Sequence, residues 1–355
     1  MGRPILAYDF SVLENTPWTG VERYALAMLR HLPQAMPDVE LVAIWRRPSD
    51  PELTELTQNW TNEIDHSSLP RSLWRRFILP RLVRRSGATM LVAPVAHVPE
   101  MRGITSCRTI HDLPSPELLS IENSSWIDSG KSGRWKRFDL PTIFPSAATQ
   151  TSFENLLPTA KAPRAVIHHG LDERWPQFES CPDAPPSLRL LVVGTVRERR
   201  MPKVLHDALL TLRQKEPAAE LRWIGRADLD VTPYPFIDFL GELNDDEKIK
   251  EFQDATILIC PSLIEGFGLP MLEGLAAGLT VVAADHPTSR EIGASFPHFY
   301  DGHSSNDLLR AISEARASIP SNPAKQPQIK YARQFSWQKS ARQHANFFRL
   351  IHNKQ

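Results

Sequence analysis

What most constrains this chain is a regular alternation of short β-branched runs with stretches of helical periodicity. In the first half, strand-like runs stand at ILAYDF (from Ile5), VELVAIW (Val39), TMLVAPV (Thr89), CRTIHDL (Cys107) and RAVIHHG (Arg164). Between the first two, GVERYALAMLRHL from Gly20 carries apolar residues at helical spacing. The second half repeats the scheme with LRLLVVGTV (Leu188), ELRWIGR (Glu220), FIDFLGEL (Phe236), TILICPS (Thr256) and TVVAAD (Thr280). Helical stretches near Lys203, Asp245, Leu269 and Asn306 separate these runs. A strand that is apolar along its whole length is covered on both faces, and the intervening helices supply the cover. The pattern predicts an α/β protein built from doubly wound parallel sheets.

At 355 residues the chain exceeds one comfortable core, since domains average roughly 150 residues. ERWPQFESCPDAPPS, from Glu173 to Ser187, is rich in proline and periodic in nothing, which predicts the linker there. The first domain then covers 1–172, the linker 173–187, and the second domain begins at 188. Two such domains are expected to face a cleft, with ligands beyond the carboxyl ends of the strands. The 31 prolines against 16 glycines read as short, stiff connections. Lys+Arg and Asp+Glu are both 41, so no bulk basicity points to nucleic acid. No run approaches the ~20 apolar residues of a membrane span. MGRPILAYDF lacks the regions of a signal peptide, and Cys107, Cys181 and Cys260 show neither pairing nor metal spacing. A cytoplasmic location is the expectation.

Four stretches carry chemistry, and each follows a strand. In SLIEGFGLPMLEGLAAG, two glutamates eight residues apart, Glu265 and Glu273, straddle a glycine turn that opens a helix. Gly266 and Gly268 let backbone approach a ligand, Pro270 suits a first helical turn, and Gly278 suits the helix end. Gly268 and Leu269 present N–H groups at a helix N-terminus, a place for phosphate. Carboxylates beside a phosphate make sense if they accept hydrogen bonds from hydroxyls, so one would hold a sugar and the other a ribose. The alternative is one glutamate complementing the helix dipole and one solvated. In VVGTVRERRMPK, Gly194 and Thr195 form a turn and Arg197, Arg199 and Arg200 crowd the loop beyond it, either a cationic phosphate pocket or a solvated basic loop. In WTGVERYAL, Gly20 precedes a helix with Arg23 in its first turn. In TIHDLPSPE, His111 lies just past a strand, either contacting a hydroxyl near neutral pH or serving as a structural histidine.

Taken in order, these stretches resemble glycosyltransferase family 4, retaining enzymes of the two-Rossmann GT-B architecture. PSLIEGFGLPMLEGLAAG looks like its Glu-x7-Glu signature, GTVRERRMP its arginine–lysine loop, TIHDL its His-Asp motif and VIHHGLD the end of its first domain. FSWQKSARQHANFF looks like its C-terminal helix, which implies a second domain over 188–335 and a helix over 336–355 crossing back to the first domain. The resemblance implies that Glu273 holds the ribose, Glu265 binds donor-sugar hydroxyls, and Gly268 and Leu269 give N–H groups to the diphosphate. It implies that Arg199 and Arg200 neutralise the leaving diphosphate, that Gly194 shapes the donor loop, that Gly20 admits phosphate or acceptor, and that His111 contacts the donor sugar. Arg200 stands where the family has lysine and Met201 where it has asparagine.

The implied activity is metal-independent transfer of a hexose from a nucleotide-sugar to a glycan or lipid-linked saccharide, by same-face attack with the departing diphosphate as base. No cofactor is expected. Likeness to bacterial mannosyltransferases of surface-polysaccharide assembly favours GDP-mannose over a UDP-sugar. The alternatives are a catalytically degenerate binding protein and a sugar-nucleotide epimerase. Asp228–Asp230 resembles a metal-binding Asp-x-Asp, but in a polar loop of the wrong architecture, so no metal site is expected. RSLWRRFILPRLVRR, Arg71–Arg85, carries six arginines among apolar residues. Contact with anionic membrane at the inner face of the plasma membrane is one reading of it, and a structural segment with a basic surface is the other, because Pro80 interrupts it and its arginines spread round the helix.

Overall fold

The computed structural model describes residues 3–14, 18–47, 51–113, 139–173, 175, 187–319 and 325–353. They form two units, one reaching to Leu113 and including 139–170 and the segment from Trp337, the other lying within 171–336. Of the expected linker, only Glu173, Trp175 and Ser187 lie among the described residues.

The first unit is a seven-stranded sheet in the order β3-β2-β1-β4-β5-β6-β7. Its strands are β1 (Ile5–Asp9), β2 (Glu40–Arg46), β3 (Thr61–Asp65), β4 (Met90–Ala93), β5 (Thr105–Thr109), β6 (Thr142–Phe144) and β7 (Arg164–Val166). Every named pairing is parallel, with Ala7 opposite Val42 on one side and Leu91 on the other. β4 and β5 are buried along their whole length, as strands covered on both faces must be. β3 and β6 were not expected. β3 is a polar edge strand with Ile64 exposed, and β6 has three residues, too few to show a period. The chain runs outward from β1 to β3 and returns on the other side of β1, so the sheet's switch point lies between β1 and β4.

The helix Gly20–Ala35 starts at a capping box in which Thr19 and Glu22 bond reciprocally. It buries Tyr24, Met28, Leu29 and Leu32. The terminal helix Trp337–His352 lies against it: the Tyr24 hydroxyl meets His344 Nε2 at 2.8 Å, and Arg349 donates to Asp38 at 2.6 Å. The same Tyr24 hydroxyl is 2.9 Å from Thr109 Oγ1, and its ring packs on His111 and His169. Three imidazoles thus share one buried pocket with one phenol.

Arg71–Arg85 is two short helices, Arg71–Phe77 and Leu79–Arg85, with Pro80 harmless in a first turn. Trp74, Leu79, Leu82 and Val83 anchor them in the core. Arg75 binds buried Asp9 at 3.0 Å, Arg71 reaches Glu14 at 3.4 Å, and Arg85 pairs with Glu63. Two of the six arginines are therefore drawn towards buried carboxylates, while Leu73, Phe77, Arg76, Arg81, Arg84 and Arg85 stay exposed.

The second unit is a six-stranded parallel sheet in the order β10-β9-β8-β11-β12-β13. Its strands are β8 (Arg189–Val193), β9 (Glu220–Ile224), β10 (Ile237–Gly241), β11 (Ile257–Cys260), β12 (Thr280–Ala284) and β13 (His298–Tyr300). Leu258 and Val192 lie in the central layer, buried completely, whereas β13 is a three-residue edge strand absent from the sequence expectation. Its switch point lies between β8 and β11, the two strands that the arginine loop and the glycine turn follow.

The histidine pocket sets an acid limit for the first unit. Burial pushes His344 down to about 4, lowers His111, and holds His169 well below its ordinary range, where the neighbouring imidazoles add to the effect. The folded state thus holds these rings neutral, while the unfolded chain takes up protons near pH 6.5. Stability is expected to be full above pH 7 and to fall as pH drops from about 6.5 towards 4, with His344 alone accounting for about 2 kcal/mol by pH 5. Thermal unfolding between pH 7.5 and 4.5 reads this, and His344→Gln should flatten the profile. An unchanged slope in that variant contradicts it.

Candidate functional site

The chemistry gathers at the carboxyl ends of β8 and β11. After β8 the chain passes through Gly194 and Thr195 and turns once through Glu198–Arg200. Met201 closes the turn in the left-handed region at φ 50°, and the helix Pro202–Lys215 follows. After β11 it passes through Pro261–Phe267, and Gly268, left-handed at φ 89°, caps the helix Leu269–Ala276. Leu263 N–H donates to the Arg199 carbonyl at 2.9 Å and joins the two loops.

Arg200 is the buried centre of this arrangement. Its Nη1 donates to the Thr195 carbonyl at 2.7 Å and its Nη2 to Glu265 Oε1 at 3.0 Å. The same carboxylate oxygen accepts from the Ser262 hydroxyl at 2.6 Å, while Thr288 Oγ1 donates to the Glu265 carbonyl at 2.7 Å. Burial by itself would raise the Glu265 carboxyl, but Arg200, Arg199 and the Ser262 hydroxyl outweigh it and hold it below its ordinary value. Glu265 is therefore ionised and fixed before any ligand arrives. Arg200 uses two of its five N–H donors, and Leu269, as the first helical residue, has an N–H with no intrahelical acceptor. A pocket lined by Arg200, Ser262, Glu265, Phe267, Gly268 and His286 brings the guanidinium and the carboxylate together at the start of that helix. Chemically it offers a carboxylate for hydroxyls beside cationic and N–H donors for an anion.

Two glycines make room for the guanidinium. At Gly194 (φ 126°) a Cβ would sit 2.6 Å from Arg200 Cζ. At Gly225 (φ 139°), just past β9, a Cβ would sit 2.4 Å from the Gly194 carbonyl oxygen. That carbonyl accepts from Trp223 Nε1 at 2.7 Å, so the core of the sheet holds the loop in place.

Glu273 lies in the second half of the same helix, outside the lining of that pocket. Lys248, on the helix Asp245–Asp254, donates to both its carboxylate oxygens at 2.7 Å. The ammonium lies over Trp175, centroid 5.1 Å away, and Trp175 Nε1 in turn donates to the Glu273 carbonyl at 3.0 Å. The ribose role expected of Glu273 is therefore left to the lone pairs that Lys248 does not take.

Gly20 and His111 belong to the other unit. Gly20 is the first residue of a helix and takes helical backbone, so its conformation does not call for glycine. His111 Nε2 faces the Pro94 carbonyl at 2.9 Å. A carbonyl only accepts, so Nε2 carries the proton and the neutral ring offers Nδ1 as an acceptor for a hydroxyl. Asp228 and Asp230 are engaged elsewhere: Asp228 accepts from Arg197 and Arg226, each at 2.8 Å, and Asp230 from Thr232. Among the described residues no cluster of three or more histidine, cysteine or acidic side chains is placed to hold a metal. The sequence reading passed over His286 and Lys248. His286 follows β12 at its carboxyl end, a signal that was available; Lys248 sits in a charged helical run with none.

Residues 187–315 match the sequence profile of the family described as Glycosyl transferases group 1. The serotype-specific mannosyltransferase WbdA of Escherichia coli is 27% identical over 103 residues, 29% of this chain and 12% of that protein, so the likeness spans a small part of that relative. The fold is similar to sucrose-phosphate synthase from Thermosynechococcus elongatus, with TM-score 0.76 at 16% identity over 99% of this chain and 100% of the other. It is also similar to Anabaena HepE in complex with UDP and glucose, with TM-score 0.66 at 16% identity over 98% and 100%. The second unit thus contains the stretch similar to the group 1 glycosyl transferases, and the two-sheet fold is the one that the motifs implied.

Gly225→Ala should destabilise by more than about 2 kcal/mol in denaturant unfolding, because it drives backbone against backbone at a strained φ. Gly194→Ala should cost less, since the displaced neighbour is a side chain; equal losses would contradict this nesting. Lys248→Met leaves a buried carboxylate unpaired and should cost about 3–5 kcal/mol, most of it recovered in Lys248→Met/Glu273→Leu. A double variant no more stable than the single one would refute the isolation of the pair.

Proposed function

We propose that this protein is a retaining glycosyltransferase that moves a hexose from a nucleotide-sugar to a glycan or lipid-linked saccharide acceptor without a metal. The observation that carries the reading is the pairing of ionised Glu265 with buried Arg200 beside the Gly268 cap, at the switch point of the second sheet. Glu265 accepts from hydroxyls of the transferred sugar. Arg199, the spare N–H groups of Arg200 and the Leu269 N–H hold the diphosphate, and Glu273 takes the ribose hydroxyls with its remaining lone pairs. These donors are fixed before reaction, so they stabilise charge as it develops without reorganising. The bond from the anomeric carbon to the phosphate oxygen breaks, the acceptor oxygen bonds to the same face, and the acceptor's proton passes to the departing phosphate.

The likeness to the mannosyltransferase WbdA favours mannose from GDP-mannose as the donor, with surface polysaccharide as the product class. In the first unit, His111 offers its Nδ1 as an acceptor for a sugar hydroxyl. No helix among the described residues is long and apolar enough to cross a membrane. A peripheral contact at the cytoplasmic face is the reading favoured by exposed Leu73 and Phe77 beside exposed Arg76, Arg81 and Arg84.

Thermal unfolding with GDP, UDP, ADP or dTDP, each with and without EDTA, tests the site. A nucleotide at ~100 times its dissociation constant adds about 2.7 kcal/mol. The expected result is a rise in Tm with GDP that EDTA leaves intact and Glu273→Gln diminishes. A shift with UDP alone moves the donor to that nucleotide, a shift abolished by EDTA overturns the metal-free mechanism, and no shift with any of the four overturns the transferase reading.

A further inference from the structure

His286 lines the same pocket as Glu265 and Gly268, yet none of the roles above uses it. It follows β12 and caps the helix Pro287–Gly293, with its Nδ1 accepting from the Ser289 backbone N–H at 3.3 Å. In return His286 N–H donates to Ser289 Oγ at 3.0 Å, and that hydroxyl donates to the Ala284 carbonyl at 2.7 Å. The ring is thereby tied to the end of β12.

The cap decides where the imidazole proton sits. A backbone N–H can only donate, so Nδ1 must keep its lone pair and the neutral ring carries its proton on Nε2. That Nε2–H has no hydrogen-bond partner among the described residues. Burial favours the neutral ring, against the pull of Glu265 and Asp285, which favour its charge. The side chain is half-buried, close enough to Glu265 for each to shift the other electrostatically. A fixed, neutral donor therefore stands next to the acceptor carboxylate expected to hold the transferred sugar.

We propose that His286 is a sugar-specificity residue, whose Nε2–H donates to an oxygen of the donor hexose while Glu265 accepts from a neighbouring hydroxyl. This rests on the transferase reading of the pocket. A donor and an acceptor at fixed positions read the orientation of adjacent hydroxyls, which the carboxylate alone does not. The nucleoside diphosphate without its sugar makes no such contact.

Substitution separates the two duties of the side chain. Serine and asparagine are both strong N-cap residues, so His286→Ser keeps the cap and takes away the N–H at the far side of the ring, leaving only a short hydroxyl, while His286→Asn keeps the cap and restores an N–H. Calorimetric titration with GDP, GDP-mannose, UDP and UDP-glucose, together with Tm for each variant, gives the comparison. For the nucleotide-sugar that the unchanged protein binds, His286→Ser should weaken affinity by roughly tenfold, the worth of one hydrogen bond. Affinity for the matching nucleoside diphosphate and the Tm should stay put, and His286→Asn should recover part of the loss. Equal weakening of sugar-bearing and sugar-free nucleotide, or no weakening of either, overturns the assignment while leaving the transferase reading intact. Failure of the unchanged protein to bind any of these, or ADP or dTDP, overturns both.

Discussion

A buried guanidinium governs the second unit. Arg200 is removed from water, and a charge so placed is tolerated only when hydrogen bonds and an opposite charge surround it. Meeting that condition dictates a series of local structures. The Thr195 carbonyl must turn inward, Gly194 must lack a side chain, and Gly225 must lie flat against Gly194. Trp223 must tether the loop from within the core, and Glu265 must stand opposite. Met201 takes a left-handed backbone to end the turn and release the next helix. The same set that satisfies the cation also prepares an ionised carboxylate, so stability and chemistry are met by one arrangement. An arginine in place of lysine suits this, because its planar fork reaches two acceptors that a point charge would serve less well.

The Lys248–Glu273 pair follows the same logic with a different balance. Both groups are buried and each is the other's main compensation, so the pair's net contribution to folding is small although the loss of either partner is costly. A hydrophobic pair would serve the core as well or better. What the ion pair adds is a carboxylate of fixed orientation one helical turn beyond the Gly268 cap, and aromatic walls from Trp175 and Phe252 that keep the ammonium from wandering.

The legible parts of this molecule are those decided locally. Buried central strands such as β4, β11 and β12 are continuous apolar runs, and the Gly268–Pro270 helix start is spelled out by residues with narrow backbone preferences. Glu265, Arg199 and Arg200 could be picked out because each lies within a few residues of a strand's carboxyl end. β3 and β13 escaped because an edge strand pairs on one side only and needs no unbroken apolar run. Lys248 escaped for a related reason: NDDEKIKEFQD reads as a solvated helix, and only the tertiary fold turns one lysine inward across 25 residues of sequence. The arginines of Arg71–Arg85 show the converse, since their count suggests an outward basic surface while Asp9 and Glu14 draw two of them in.

The first unit is assembled from both ends of the chain. Tyr24 finds its buried partner in His344, 320 residues later, and the helix Trp337–His352 covers a face of Gly20–Ala35. On a ribosome adding roughly 5–20 residues per second, that face waits tens of seconds for its cover. The described residues of the second unit, which end at Ser336, are all made before the first unit receives its last helix. The order of birth is therefore the reverse of the order of sequence: the unit that starts the chain is the last to close, and until it does its apolar helix face is a surface for chaperones to guard.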